Sequence, residues 1–205
     1  MSVKNVIKLL KSELEFSDSS IDKLKIFHDY LLDYNRKYNL ISKSTEKNIW
    51  FRHILDSAQI LKYLDRKKVN NIADFGSGAG FPGLILAIQS KNNLFHVKLY
   101  EKSSVKRDFL NEIKEKLDLK NVEVKGDIYE NEITSNTIIC RAFKKLKEII
   151  NISREMIKKP HKIIILKGKD AQTEINNVSL GSNYSYKLEN SITDQDSKII
   201  LVEAK

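Results

Sequence analysis

The sequence contains little cysteine, proline or glycine, and each shortage excludes a class of protein. One cysteine among 205 residues cannot form an intramolecular disulfide or a thiolate metal cluster, which is typical of a reducing compartment. With two prolines and 7 glycines the chain shows no linker or low-complexity tract. The four histidines show no metal-ligand spacing with cysteine or acidic residues. We therefore expect a cytoplasmic protein without a metal site.

Long apolar runs are also absent. The longest, Leu84–Ile88 and Ile163–Leu166, are far shorter than the roughly 20 residues that span a bilayer. No apolar segment near the N-terminus ends in a cleavage-type site. These features predict a soluble protein with no membrane partner. The length fits one domain with a full core, or a domain with a small extension.

The positive charge is concentrated in one segment. The formal net charge is +9, and residues 141–169 contain ten basic and two acidic side chains. Such a segment favours a polyanion as partner, with binding that weakens steeply with salt. On charge alone, a solvated lysine-rich face explains it equally well. The candidates for phosphate contact are Lys144, Lys145, Lys147, Lys167 and Lys169.

Hydrophobic periodicity divides the chain into two parts. Apolar residues at helical spacing predict helices over 3–16, 18–39 and about 46–64, so the first 65 residues form a helical extension. From residue 66 we expect an α/β domain. Its predicted strands are 71–75, 95–100, 122–125, 137–140, 161–166, 183–189 and 197–203, and its helices begin at Pro82 and cover 104–119, 144–158 and 170–177.

Strands that alternate with helices imply a mostly parallel sheet covered on both faces. The last two strands have only a loop between them and imply an antiparallel hairpin at the sheet edge. Seven strands in this sequence are similar to the Rossmann-like fold of class I methyltransferases. We therefore expect that fold for residues 66–205, with residues 1–65 packed on it.

A glycine-rich turn follows the first predicted strand. The stretch Asp74-Phe-Gly-Ser-Gly-Ala-Gly-Phe-Pro-Gly83 contains four of the 7 glycines. In this type of sheet the first strand-to-helix turn holds a nucleoside cofactor, and glycine allows a positive φ and a close ligand. We expect Gly76 and Gly78 to contact the cofactor, and free amides at the helix start to face an anion or a carboxylate. Glu101, after the second strand, is placed to accept both ribose hydroxyls.

Two cofactor classes fit this turn. Gly78-x-Gly80-x-x-Gly83 matches the loose dinucleotide pattern, so a nucleotide-dependent oxidoreductase stays open. The usual fingerprint would begin at Gly76 and would need its third glycine at position 81, where Phe81 stands. A bulky ring there favours a ligand without pyrophosphate, against which the ring could pack. S-adenosyl-L-methionine fits that description.

If a methyl donor is bound, the sequence disfavours some acceptors. Amino-group methylation of adenine usually relies on an Asn/Asp-Pro-Pro-aromatic turn, which Pro82 and Pro160 do not form. Methylation at a pyrimidine carbon needs a covalent cysteine; Cys140 lacks the usual preceding proline, and we expect it to be buried. A ring nitrogen such as guanine N7 loses no proton on attack, so positioning suffices.

Several segments together point to one family. They are Asn39-Leu-Ile, Arg52-His-Ile-Leu-Asp-Ser57, Asp74 to Gly83, Lys106-Arg-Asp-Phe-Leu110, Cys140-Arg-Ala-Phe143 and Leu166-Lys-Gly168. In this order they resemble the RsmG or GidB enzymes, which methylate guanine N7 in bacterial 16S rRNA. The resemblance runs from about residue 30 to 170. It implies methyl transfer from S-adenosyl-L-methionine to one guanine in the decoding-region loop, in naked 16S rRNA or in the 30S subunit particle.

The resemblance also implies site residues. Its cofactor contacts fall on Gly76, Phe81, Ile128, Tyr129 and Arg141. The family commonly has Glu where this chain has Tyr129, and this departure keeps open a non-catalytic RNA-binding relative. We expect a monomer.

No catalytic base is predicted, and three residues are catalytic candidates. Arg141, after the fourth strand, is expected to bind the methionyl carboxylate or the RNA. Arg52 and His53 share the polar side of their helix with Asp56, because spacings of three and four residues bring side chains together. This triplet either borders the cofactor and RNA channel or forms a structural hydrogen-bond network.

Overall fold

The computed structural model describes residues 1–65, 70–90 and 95–205. The predicted boundary between extension and domain, at residue 66, lies outside the described residues. Seven strands form one sheet in the order β3-β2-β1-β4-β5-β7-β6. The strands are β1 (Asn70–Phe75), β2 (Phe95–Tyr100), β3 (Val122–Lys125), β4 (Thr137–Arg141), β5 (His161–Lys167), β6 (Tyr184–Asn190) and β7 (Lys198–Ala204).

The sheet has the predicted mostly parallel arrangement. Strands β1 to β5 pair in parallel, and β7 pairs antiparallel with both β5 and β6. The predicted hairpin at the sheet edge is thus confirmed, with β7 inserted between β5 and β6. Strand β1 lies between β2 and β4, so the chain order reverses at β1. A reversal of this kind leaves a crevice at the carboxyl ends of the strands.

Eight α-helices accompany the sheet in the described ranges. They are α1 (Val3–Ser12), α2 (Asp18–Tyr38), α3 (Lys43–Glu46), α4 (Asp56–Ala58), α5 (Gly83–Gln89), α6 (Ser104–Lys116), α7 (Leu146–Met156) and α8 (Ala171–Asn176). Helix α1 ends four residues before the predicted position 16. The chain turns at Glu15, which has φ 59°, and this turn buries the side chain of Phe16.

The helix predicted over about 46–64 is present over residues 50–63, but it is not a continuous α-helix. The segment consists of a π-helical turn at Trp50–Leu55, the short α4, and a 3₁₀ turn at Gln59–Tyr63. The carbonyl of Arg52 accepts a hydrogen bond from Arg141 Nη1 at 3.1 Å. A side chain that bonds to a helix carbonyl from outside is one recognised cause of such irregularity. Local periodicity carries no signal for this tertiary contact.

Each face of the sheet has its own hydrophobic core. The first core contains α5, α6 and the helical extension, with Phe27 of α2 and Phe109 of α6 fully buried. The second contains α7 and α8, with Ile149 among its residues. Adjacent residues of one strand, such as Ile163 and Ile164, belong to different cores because side chains alternate across a strand. The extension therefore packs directly on the sheet domain.

Within the ranges described, none of the helices combines the length and the apolar character that crossing a membrane requires.

We propose that the extension and the sheet domain unfold as one unit, and Phe27→Ala tests this. The Phe27 ring centroid lies 5.4 Å from that of Phe81 and 6.3 Å from that of Phe109. Truncation should lower the free energy of unfolding by about 3–5 kcal/mol, because it leaves a cavity between the two parts. Urea unfolding followed by the fluorescence of Trp50 and by far-UV circular dichroism should give coincident transitions.

The matched control is Ile26→Ala, a neighbouring exposed residue of the same helix. It should change the free energy of unfolding by no more than about 0.5 kcal/mol. A Trp50 transition that precedes the circular dichroism transition would contradict a single unit.

Candidate functional site

A cleft of about 480 Å³ lies at the carboxyl ends of β1, β2, β3 and β4. Its volume falls within the roughly 300–1,000 Å³ of typical ligand pockets. All seven residues predicted to bind the cofactor line it, together with His53 and Lys144. The seven are Gly76, Gly78, Phe81, Glu101, Ile128, Tyr129 and Arg141. The sheet thus brings together residues that are 65 positions apart in sequence.

The glycine turn is shaped by protein contacts on one side and by the open cleft on the other. Gly76 has φ 70°, and a Cβ atom on it would overlap the ring of Phe143. At Gly78, with φ 57°, the nearest atom to such a Cβ is 3.9 Å away. The expected close approach of a ligand to bare backbone therefore fits Gly78. At Gly76 the Cβ direction is filled by Phe143, and contact between the cofactor and the rest of its backbone stays a prediction.

The carboxyl group of Asp74 accepts a hydrogen bond from the backbone at the start of α5. The Gly83 N–H donates to Asp74 Oδ2 at 2.9 Å, and the Leu84 N–H donates to the Gly80 carbonyl at 2.9 Å. The two amides are therefore not free, and the carboxylate that the Gly83 amide faces belongs to Asp74 of the protein itself. A Cβ on Gly83 would lie 2.6 Å from Asp74 Oδ2, so glycine is needed for this contact. Burial raises the pKa of Asp74 to about 7.

Glu101 joins the glycine turn to the end of β2. Its Oε2 accepts from the Gly78 N–H and its Oε1 accepts from the Ser103 N–H, both at 2.9 Å. A carboxylate offers about four acceptor positions, so these two bonds leave capacity for hydroxyl donors of a ligand. The carboxylate is buried at the cleft wall and its position is fixed by backbone donors.

Phe81 is held by protein side chains. Its ring stacks on His53 at a centroid distance of 4.9 Å, and the Arg141 guanidinium lies 5.0 Å from its centroid. The edge of the ring meets Phe27, and only 4% of the residue is exposed. The expected packing of the ring against a ligand is therefore limited to the small part that lines the cleft.

Arg141 connects the cleft to the helical extension. Its Nη2 donates to His53 Nδ1 at 2.6 Å, and its Nη1 donates to the Arg52 carbonyl at 3.1 Å and to Asp56 Oδ2 at 3.3 Å. These bonds use three of the five donors of the guanidinium. Burial and then the nearby Arg141 charge lower the pKa of His53 to about 3. His53 is consequently neutral near pH 7 and accepts at Nδ1.

Arg52 does not line the cleft, and its role as a catalytic candidate stays a prediction. Its Nη1 pairs with Asp194 Oδ2 at 2.8 Å, and 46% of its side chain is exposed. Asp56 Oδ1 accepts from Thr193 Oγ1 at 2.6 Å and from Gln59 Nε2 at 2.9 Å. Arg52 and Asp56 of the extension thus bond to Asp194 and Thr193 of the β6–β7 loop. The structural network considered above is the better description of Arg52.

The turn after β3 forms another wall of the cleft. Ile128 is buried, whereas Tyr129 is 59% exposed. The Tyr129 N–H donates to Asp127 Oδ1 at 3.2 Å. Asp127 also lines the cleft, and sequence reasoning did not select it as a site residue. Its position after β3 matches that of Glu101 after β2, so the same strand-end rule would have found it.

The basic segment is divided between two regions. Lys145 and Lys147 are exposed at the start of α7, and Lys169 is exposed after β5. Lys144 lies at the cleft and pairs with Glu148. Beyond α7, Lys158 and Lys159 line a different hollow near the start of β5, at the opposite end of that strand from the cofactor cleft. The segment therefore does not form a single docking surface.

Lys167 is the exception among the predicted phosphate contacts. Its Nζ donates to the Lys144 carbonyl at 2.7 Å and to Glu174 Oε1 at 2.9 Å. Only 14% of its side chain is exposed. This prediction needs correction, because Lys167 serves to join β5 to α8.

Cys140 is fully buried, as predicted. Burial raises the pKa of its thiol well above the usual range, so the reactive thiolate is disfavoured. In the part of the chain that the structure describes, no three His, Cys, Asp or Glu side chains cluster closely enough to hold a metal ion.

The buried Asp74 should make stability depend on pH. Its folded pKa of about 7 exceeds the ordinary 3.8, so the folded state holds an extra proton between these values. Stability from this group is therefore lost as the pH rises from about 4 to about 7. Asp74→Asn resembles the protonated carboxyl and should remove this loss. Urea unfolding at pH 5 and pH 8 measures it.

The control is Asp33→Asn, an exposed carboxyl on α2 that should keep the wild-type loss. If wild type and Asp74→Asn lose equal stability between the two pH values, Asp74 is not protonated in the folded protein.

The chain matches known methyltransferases over most of its length. A family model described as GidB, rRNA small subunit methyltransferase G, matches residues 20–199. The ribosomal RNA small subunit methyltransferase G of Rickettsia felis is 37% identical over 190 residues, which cover 92% of this chain and 96% of that protein. The protein of the same name from Orientia tsutsugamushi is 33% identical over 202 residues, which cover 98% and 99%.

A solved structure supports the fold. The O-methyltransferase from Bacillus cereus in complex with SAH superposes with a TM-score of 0.63 at 14% identity, covering 100% of both chains. At this identity the likeness shows the fold, which is that of class I methyltransferases. The relatives above are methyltransferases, so the alternative of an oxidoreductase is wrong. The chain belongs to the GidB family of rRNA small subunit methyltransferases.

Proposed function

We propose that this rRNA small-subunit methyltransferase transfers the methyl group of S-adenosyl-L-methionine to N7 of one guanine in the decoding-region loop of 16S rRNA. The observation that supports it best is the cleft where Glu101, Ile128 and Arg141 converge. The substrate is the naked rRNA or the 30S particle, met in the cytoplasm, and the enzyme acts as a monomer. Residues 1–65 are an extension on the methyltransferase domain of residues 66–205.

The groups in the cleft fit the parts of this cofactor. Glu101 offers acceptor positions to two ribose hydroxyls beside the open backbone of Gly78. Ile128 provides an apolar wall for a flat adenine ring. Arg141 keeps two N–H groups beyond its three bonds to described residues, and these suit a carboxylate. When bound, S-adenosyl-L-methionine supplies a sulfonium methyl group, whose carbon takes the N7 lone pair as its bond to sulfur breaks.

Methylation at N7 requires little from the protein beyond positioning of the guanine and the methyl group. N7 has a free lone pair and loses no proton, so the enzyme needs no general base. The titratable groups at the cleft agree with this. The lowered pKa of His53 makes it a weak base, and Cys140 is buried as a thiol. What the side chains supply is orientation and exclusion of water.

Methylation of a single guanine tests the proposal. The purified protein with S-adenosyl-L-methionine should convert one guanine in the decoding-region loop to 7-methylguanine, in 16S rRNA or 30S particles from cells that lack the enzyme. Mass spectrometry of nuclease fragments locates the product. Glu101→Gln should raise the dissociation constant of the cofactor about tenfold, since it weakens the hydroxyl contacts. Isothermal titration calorimetry measures that constant.

The control for Glu101→Gln is Glu123→Gln, an exposed carboxyl on β3 that should leave cofactor affinity unchanged. Methylation at a different atom would contradict N7. Cofactor binding without incorporation into any ribosomal fraction would favour the non-catalytic relative that Tyr129 keeps open.

The exposed lysines at the start of α7 and after β5 are proposed to contact the RNA backbone. Removal of three charges in Lys145→Gln, Lys147→Gln and Lys169→Gln should weaken RNA binding at least tenfold at low salt. It should also flatten the salt dependence by up to about 0.7 per lost contact. Fluorescence anisotropy at several salt concentrations measures both.

The control is a triple variant with the same loss of charge at the hollow near the start of β5. It combines Lys158→Gln, Lys159→Gln and Lys205→Gln. Equal losses in the two variants would mean that net charge alone accounts for binding, and the proposed surface would be rejected.

A further inference from the structure

A second, smaller cleft adjoins the proposed cofactor site. Its volume is about 170 Å³, and it shares Arg141 and Ala142 with the larger cleft. Its other walls include Asp56 from the extension, Gly168 after β5 and Ser191 after β6. Two clefts with a common wall suit a reaction in which a group passes from one ligand to another.

The common wall has an unusual backbone. Ala142 has φ 51°, in the left-handed region that a residue with a Cβ seldom adopts. Alanine has no polar side chain that could stabilise this conformation locally. Such strained positions are often found at ligand sites, where the surrounding structure holds them in place. The strain at Ala142 coincides with the place where the two clefts meet.

Asp56 presents a carboxylate oxygen to this region. Its Oδ1 is used by Thr193 and Gln59, whereas the one described partner of Oδ2 is Arg141 at 3.3 Å. The side chain is 16% exposed, so the carboxylate is partly shielded from solvent. An ionised carboxylate only accepts hydrogen bonds, which restricts the ligand atoms that it can bind.

Gly168 leaves room opposite these groups. A Cβ atom on it would have no neighbour within 4 Å, so the backbone borders open space. Enzymes that modify a base generally take it out of its stack and bind its Watson–Crick edge in a pocket.

We propose that the smaller cleft takes the acceptor guanine and that Asp56 Oδ2, which has one acceptor position left beside Arg141, accepts from its 2-amino group. This inference rests on the proposed function. Guanine carries this donor, whereas adenine lacks the 2-amino group and has an acceptor at N1, which a carboxylate repels. Asp56 has no donor to offer to N7, so the N7 lone pair stays free to form the bond to the methyl carbon. Asp56 is thus a specificity-determining residue.

Inosine at the methylated position tests the contact, because inosine lacks the 2-amino group of guanosine. Two forms of 16S rRNA are prepared by ligation, with guanosine or with inosine at that position. For the wild type, kcat/KM should fall about 10- to 100-fold on inosine, which is the usual effect of a lost bond to a charged group. Asp56→Asn should be slow on both forms and should discriminate between them less than threefold.

Thr193→Val separates base recognition from loop anchoring. It removes the hydroxyl that bonds to Asp56 Oδ1 and leaves Oδ2 intact. This variant should keep the wild-type preference for guanosine even if the loop is weakened. The dissociation constants of the two RNA forms, measured by fluorescence anisotropy without methyl donor, provide a second readout and should show the same order of preference among the three proteins.

Three results would overturn the inference. If the wild type does not discriminate, the 2-amino group is not recognised. If Asp56→Asn discriminates as strongly as the wild type, another residue recognises it. If the wild type methylates guanosine RNA at an atom other than N7, the proposed function fails and the inference falls with it.

Discussion

Two carboxyl groups hold the glycine turn after β1, and the site depends on this arrangement. Asp74 accepts from the Gly83 N–H on the buried side, and Glu101 accepts from the Gly78 N–H on the cleft side. Backbone that curves through positive φ values would otherwise leave these donors without partners, which is costly in a buried region. Contacts within the protein therefore hold the turn on both sides. Its open face at Gly78 is the part that remains for a nucleoside.

Arg141 extends this site to the rest of the chain. It contacts His53, Asp56 and the carbonyl of Arg52, so one guanidinium bridges the end of β4 and the helical extension. Asp56 in turn holds the loop between β6 and β7 through Thr193. Residues from segments that are distant in sequence thus line both clefts. We therefore expect a change in the extension or in that loop to alter the position of Arg141 at the cleft.

The parts of the site that follow from local rules could be predicted from the sequence. Glycine spacing and the strand-end rule selected Gly78 and Glu101, which line the cleft, and short runs of β-branched residues between helical segments predicted the seven strands. The sequence did not show the contacts that join different elements of the fold. Phe143 fills the space at Gly76, Glu174 engages Lys167, and Arg141 bonds into the helix at Arg52. None of these pairs has a fixed spacing in sequence, so no local sequence pattern predicts these contacts.

The central claim is that the nucleoside of the methyl donor lies against the open side of this turn. A crystal structure with S-adenosylhomocysteine tests it most directly. We expect the ribose hydroxyls within hydrogen-bond distance of Glu101 and the adenine against Ile128, with the turn itself unmoved. A ligand bound in another cleft, or a turn that must rearrange to admit it, would contradict the account.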